Sequence, residues 1–168
     1  MKKLLLITVL ISTTLVTFAQ QKDEDTVLKT GDMVPDFKTK MFDGEMLDIK
    51  SLRGKVVLIN FWATWCPSCI QELAVVQKEL IDRFKGKDFV FLPISREDSY
   101  EKIAAFRKEK KHTFPMYMDP DRSIYSLFAT KSIPRNYLID KNGKIVHTDK
   151  GYSPAMLKET IAHIEKLL

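Results

Sequence analysis

A chain of 168 residues with a formal charge of +5 is the size of one ordinary domain, and its charge is spread too evenly to suggest nucleic acid. The densest basic cluster, Arg107-Lys108-Glu109-Lys110-Lys111, falls where a helix should end, and cations there suit the helix dipole. Its two cysteines lie in one motif, which excludes a framework of structural disulfides and favours a redox couple.

Met1-Lys2-Lys3 is a short basic head, followed by an uncharged, mostly apolar stretch to Phe18. Thr17-Phe18-Ala19 then places small residues two apart before Gln20, as at a signal-peptidase site. Hydroxyl residues dilute the stretch, and a spanning helix usually needs about 20 predominantly apolar residues. Residues 1–19 therefore read as a signal peptide, or as an N-terminal membrane anchor if they are not cleaved. Without Lys2 and Lys3 the charge falls from +5 to +3. The folded part is expected to be exported to the periplasm or cell envelope. Residues 20–30 are polar and read as a flexible tether, and residues 31–168 as the domain.

Along the domain, Asp43-Gly44 is a turn signal between residues 37–41 and 46–49, which predicts a small hairpin. Lys55-Val56-Val57-Leu58-Ile59-Asn60-Phe61-Trp62 is a nearly unbroken apolar run, the pattern of a strand buried on both faces. Trp65-Cys66-Pro67-Ser68-Cys69 follows, and Ile70, Leu73, Gln77, Leu80 and Phe84 then recur at helical steps. Residues 88–95 form a second buried-strand candidate, with Pro93 predicting a break or an edge near its end. Asp98 and Glu101 suggest a capping box for a helix carrying Tyr100, Ile103 and Phe106. Phe114-Pro115 marks the start of a strand, and Asp119-Pro120 an N-cap before a short helix with Ile124, Leu127 and Phe128. Asn142-Gly143 predicts a hairpin between residues 137–140 and 144–148. Ser153-Pro154 opens a last helix with Leu157, Ile161, Ile164 and Leu168 on one face.

Two thiols separated by two residues at a helix start can close a small disulfide and open it again. Pro67 suits the first helical position, which makes Cys66 the N-cap and Cys69 the third helical residue. The unpaired N–H groups of the first turn then favour thiolate at Cys66 and lower its pKa. Cys66, at the exposed end, would attack a substrate disulfide, and Cys69 would resolve the mixed disulfide. The alternatives are a structural disulfide or half of a zinc site. A structural zinc site needs four ligands, and His112, His147 and His163 are scattered without ligand spacing, so no metal is expected. Glu72 lies one turn beyond Cys69, where its carboxylate can approach the resolving sulfur. Trp62 and Trp65 read as a hydrophobic collar around the disulfide that contacts partner proteins, with Trp62 the more buried.

Three landmarks are more specific than the cysteine pair alone: Gly31-Asp32-Met33-Val34-Pro35-Asp36-Phe37, the run from Gly54 through Trp65-Cys66, and Ile133-Pro134 ahead of Tyr137-Leu138-Ile139-Asp140. With them the chain from about Gly31 to Leu168 resembles the TlpA/ResA-type family of exported thioredoxin-like thiol–disulfide oxidoreductases. The resemblance implies an α/β thioredoxin fold: a central mixed sheet flanked by helices, an N-terminal β-hairpin, and an inserted strand-helix segment around residues 88–111. It implies that Glu72 assists proton transfer to and from Cys69, because Asn60 stands where thioredoxin has a buried aspartate and an amide cannot take the proton. It also implies a cis Pro134 facing the cysteines, with Ile133 offering backbone hydrogen bonds to an extended substrate strand beside Trp65 and Pro67. Arg135 and Asn136 replace the small hydroxyl residues common after this proline, a departure that bears on partner choice or on charge near Cys66.

The implied activity is reduction of partner disulfides, apocytochrome c among them, with electrons from a membrane thiol carrier. No cofactor is expected beyond the Cys66–Cys69 disulfide, and the chain is expected to be a monomer that meets a membrane only if its N-terminal segment is uncleaved. Related couples span roughly −270 to −120 mV, and the lack of a histidine between the cysteines favours a reductant. Two rivals remain. A thiol peroxidase of the related peroxiredoxin class usually has Pro-x-x-x-Thr-x-x-Cys, where this chain has Ile59 and Ala63 ahead of Cys66. A copper-delivery module would use the two thiolates, but its relatives have wider cysteine spacing and a partnering histidine.

Overall fold

The computed structural model describes residues 24–168, so the expected leader over residues 1–19 lies outside the described residues. In chain order the elements are β1 (Lys38–Met41), β2 (Met46–Asp48), a 3-10 turn (Ile49–Leu52), β3 (Val56–Trp62) and α1 (Pro67–Val76), which continues as a π-helical stretch (Gln77–Asp82). There follow β4 (Phe89–Arg96), α2 (Tyr100–Lys110), β5 (Tyr117–Asp119), α3 (Tyr125–Phe128), β6 (Arg135–Ile139), β7 (Ile145–Lys150) and α4 (Pro154–Leu167). The strands form one sheet in the order β2-β1-β5-β4-β3-β6-β7. β3 runs parallel to β4 and antiparallel to β6, so the sheet is mixed, as expected.

β3 explains why the sequence needs an apolar run here. Every one of its residues is buried, and successive side chains point to opposite faces. Val56, Leu58 and Trp62 join a core with Leu73 and Val76 of α1, Ile103 and Phe106 of α2, and Leu157, Ile161 and Ile164 of α4. Val57, Ile59 and Phe61 face the other way, onto Ile49, Leu52, Tyr125 and Phe128. This second core is aromatic: Phe128 lies 5.1 Å from Phe61 and 5.0 Å from Tyr137, ring centre to ring centre. Both faces are therefore covered, and the C-terminal end of β3 emerges between two packed layers.

Several local expectations change. β4 runs through Pro93 without a break, and β5 joins it only from Ile94 onward, so the residue without an N–H sits where β4 pairs with β3 alone. The predicted strand-helix segment over residues 88–111 is present as β4 and α2, but β4 is a central strand of the sheet, not an appendage. The cap of α2 is Ser99, whose side chain accepts from the Lys102 N–H, and not Asp98. Asp119 acts at a greater distance than a cap would: it ends β5 and its carboxylate accepts the N–H groups of Ile124 (3.1 Å) and Tyr125 (2.7 Å). The predicted tether also shortens. Val27 and Leu28 donate to the Phe128 carbonyl, and Thr130 donates to Asp25, so backbone hydrogen bonds fasten the chain from residue 25 onward.

Phe128 is fully buried between β3 and β6. Phe128→Ala is expected to cost about 3–5 kcal/mol, read as a lowered midpoint in denaturant unfolding; a change below the error of that measurement would contradict the packing described.

Candidate active site

The site begins where β3 ends. Asp98, wholly buried, accepts the Thr64 backbone N–H at 2.7 Å, the Thr64 hydroxyl at 2.8 Å and the Ser95 hydroxyl at 2.6 Å. A carboxylate from the loop between β4 and α2 thus holds the turn that leads into the cysteines. Sequence reading gave Asp98 a capping role; the structure moves it to this one.

Cys66 is the N-cap of α1 in extended conformation, Pro67 takes the first helical position, and Sγ of Cys66 accepts from the Cys69 N–H at 3.3 Å. This is the predicted helix start, and it aims the Cys69 N–H at the Cys66 sulfur. Cys66 and Cys69 form a disulfide with a Cα–Cα separation of 5.3 Å. The expected difference in exposure is small: Cys66 is 4% exposed and Cys69 0%. The open residue at the mouth is Trp65, 55% exposed, whereas Trp62 is fully buried and packs on Phe106 with ring centres 5.0 Å apart.

Across from the disulfide, the Ile133–Pro134 peptide is cis, and the Ile133 carbonyl oxygen lies 3.7 Å from Cys66 Sγ. The loop is held from the core. The Tyr125 hydroxyl lies 2.6 Å and 2.7 Å from the carbonyl oxygens of Lys131 and Ser132 and donates its proton toward them. Arg135 donates from Nε to the Lys131 carbonyl and from a terminal nitrogen to the Thr26 hydroxyl. The departure at Arg135 thus anchors this loop and the N-terminal segment. At the mouth, the Arg96 guanidinium sits 5.7 Å from the Trp65 ring centre and 4.7 Å from that of Tyr125.

Glu72 is the second focus. It shares the buried face of α1 with Cys69, one turn on, and is 4% exposed. Its two carboxylate oxygens accept from Asn60 Nδ2 at 2.9 Å and from Asn136 Nδ2 at 2.6 Å, and Asn60 Nδ2 also donates to Asn136 Oδ1 at 2.9 Å. Asn60 and Asn136 are direct partners in the β3–β6 register, so the sheet presents both amides as one unit. Burial pushes the Glu72 pKa up to about 7; the hydrogen bonds from Asn136 and Asn60 oppose that, and the Asp149 charge adds to it. Asn60 Oδ1 is buried without a hydrogen-bond partner. The structure therefore gives Asn136 a part that sequence reading treated only as a departure.

The histidines also rearrange the expectation. His112 packs between Phe106 and Phe114, but His147 and His163, far apart in sequence, stack with ring centres 4.5 Å apart.

Reversible exchange between thiols and a disulfide is the chemistry this arrangement serves, and the sheet that carries it has the thioredoxin order and covering helices. The fold has close solved counterparts. A Bacteroides thetaiotaomicron protein, described as a candidate protein disulfide isomerase, superposes with a TM-score of 0.82 at 34% identity, over 86% of this chain and 92% of that one. A Chlorobium tepidum protein, described as a candidate thiol:disulfide interchange protein DsbE, gives 0.73 at 26% identity, over 83% and 98%. In sequence, the thiol-disulfide oxidoreductase ResA of Oceanobacillus iheyensis is 30% identical over 137 residues, which covers 79% of this chain and 71% of that protein. The Bacillus subtilis thioredoxin-like protein YneN is 35% identical over 121 residues, covering 70% and 69%. The family described as AhpC/TSA matches residues 30–148. The chain belongs to the AhpC/TSA family and, within it, to the TlpA/ResA-type thioredoxin-like thiol–disulfide oxidoreductases.

A carboxyl with a folded pKa near 7 and an ordinary value of 4.5 holds a proton that the unfolded chain has lost between those two pH values. Its stabilising contribution is complete below pH 4.5 and fades as the pH rises through 7. The loss should reach about 3 kcal/mol. Denaturant unfolding of the oxidised protein at several pH values should show this slope, and Glu72→Gln should remove it; a pH-independent difference between the two proteins would contradict the burial of an ionisable Glu72.

Proposed function

We propose that the protein is exported and reduces disulfides of cell-envelope proteins through the Cys66/Cys69 couple. The observation that carries this reading is the placement of Cys66 Sγ, which accepts the Cys69 N–H at the start of α1 and lies 3.7 Å from the Ile133 carbonyl. One side favours thiolate, and the other offers a backbone edge along which an extended substrate can pair.

In the reduced protein, the Cys66 thiolate attacks one sulfur of a substrate disulfide. A mixed disulfide forms, and the substrate's other sulfur leaves as a thiolate. Glu72, held by the Asn60 and Asn136 amides, then accepts the proton of Cys69. The Cys69 thiolate attacks Cys66 Sγ, the Cys66–Cys69 disulfide closes, and the second substrate sulfur leaves. Two electrons have passed to the substrate, and the proton held at Glu72 is available for a departing thiolate. Ile133 and Pro134 hold the substrate strand, Trp65 supplies an apolar contact beside it, and Pro67 fixes the first turn that sets the Cys66 sulfur.

A membrane thiol carrier would return the protein to its dithiol form. Apocytochrome c before haem attachment fits as a substrate, because its paired cysteines must be reduced. Among the described residues no helix is long and apolar enough to cross a membrane, and we place the anchor, where one is kept, in the N-terminal segment. The domain acts as a monomer with protein substrates, without metal or organic cofactor in the exchange.

Cys69→Ala should accumulate mixed disulfides between Cys66 and envelope proteins, visible on non-reducing gels and released by reductant. If no Cys66-dependent adducts form in cells, reduction of envelope disulfides is wrong.

A further inference from the structure

β7 is the last strand of the sheet, and α4 packs beside it. On this side of the molecule three candidate ligands converge from both elements. His147 projects from β7, while Glu159 and His163 stand four residues apart on one face of α4. One ligand atom from each lies within 4.8 Å of the others. Nε2 of His163 and Oε1 of Glu159 are 3.9 Å apart, and the two imidazole rings stack at 4.5 Å. The rings are tilted by 27°, and each imidazole has a carboxylate neighbour, Asp149 for His147 and Glu159 for His163.

A second observation concerns how His147 is held. Its Nε2 lies 3.0 Å from Asp149 Oδ2, and that same oxygen accepts the Thr160 hydroxyl at 2.6 Å. With Nε2–H donating to Asp149, Nδ1 carries the lone pair that a metal needs. A carboxylate that fixes the tautomer of a ligating histidine, and is itself hydrogen-bonded, is the usual outer support of a metal site. Asp149 is nearly buried, so this support is rigid, whereas Glu159 and His163 are more exposed and able to turn.

The geometry points to a divalent transition-metal site of the Zn²⁺ class formed by His147, Glu159 and His163, with Asp149 orienting His147. Two imidazoles and one carboxylate suit zinc, which then keeps one position for water. Tetrahedral donors around zinc stand about 3.3 Å apart, closer than the 4.8 Å span of the present cluster, so binding draws the exposed Glu159 and His163 side chains inward. The bound ion clamps the last helix to the edge strand. The site uses neither cysteine, and metal binding through it is independent of the Cys66/Cys69 redox state.

The test uses the full, tag-free protein with its disulfide closed, so that the thiolates cannot bind metal. Calorimetric titration with Zn²⁺ alone at neutral pH should show one ion per chain. His163→Ala and Glu159→Gln, both on the outer surface of α4, should each weaken binding at least about 10-fold while leaving disulfide reduction unchanged. His112→Ala, at a histidine outside the cluster, should bind as the unaltered protein does. Zn²⁺ should also raise the melting temperature of the unaltered protein but not of His163→Ala. Absence of binding, or binding and thermal stabilisation that survive loss of His163, would overturn the site.

Discussion

A carboxylate buried among strands has to be held by donors, and here the register of the sheet supplies them. Asn60 of β3 and Asn136 of β6 face one another across the ladder and both donate to Glu72 of α1. The cluster joins three elements at one point, so the depth of α1 against the sheet, and with it the place of Cys69 one turn earlier, is fixed by polar contacts as well as by the packing of Leu73 and Val76. Two effects oppose each other at Glu72. Burial favours the acid, the two amides favour the carboxylate, and the balance near pH 7 leaves the group able to take or give a proton under working conditions.

The cysteines themselves are poised by loops that the two layers of the core support separately. On one side, Asp98 grips Thr64 and so the turn before Trp65. On the other, Tyr125, rooted in the aromatic cluster with Phe61, extends its hydroxyl to the residues just before the cis peptide. The sulfur of Cys66 thus lies between two backbone segments, each pinned by a buried side chain from a different part of the sequence. Reactivity in such a site is a property of positioning: a helix N–H on one flank, a carbonyl edge on the other, and a buried carboxyl one turn along the helix.

Local signals were enough for much of this. The apolar run of β3, the Asp43-Gly44 and Asn142-Gly143 turns, the Ser153 cap and the Cys66-Pro67 helix start each carry their conformation in adjacent residues, and each is found as read. The place of Glu72 on the face of α1 that carries Cys69 was legible, because the two are one helical turn apart. Contacts across the sheet were not. Nothing in the spacing of Asn136 and Glu72, 64 residues apart, announces their bond. The same holds for His147 and His163, which looked scattered until β7 and α4 brought them together. Asp98 and Ser99 show a subtler failure: adjacent residues both suit a cap, and only the tertiary demand of the Thr64 turn decides which one is withdrawn from the helix.

The proposed transfer of the Cys69 proton to Glu72 is tested most directly by the resolving step in isolation. A mixed disulfide can be formed on Cys66 and its release by Cys69 followed as a function of pH. The unaltered protein should show an inflection near pH 7, where Glu72 titrates. In Glu72→Gln that inflection should vanish and the neutral-pH rate fall on the order of 100-fold. An unchanged profile would contradict the claim.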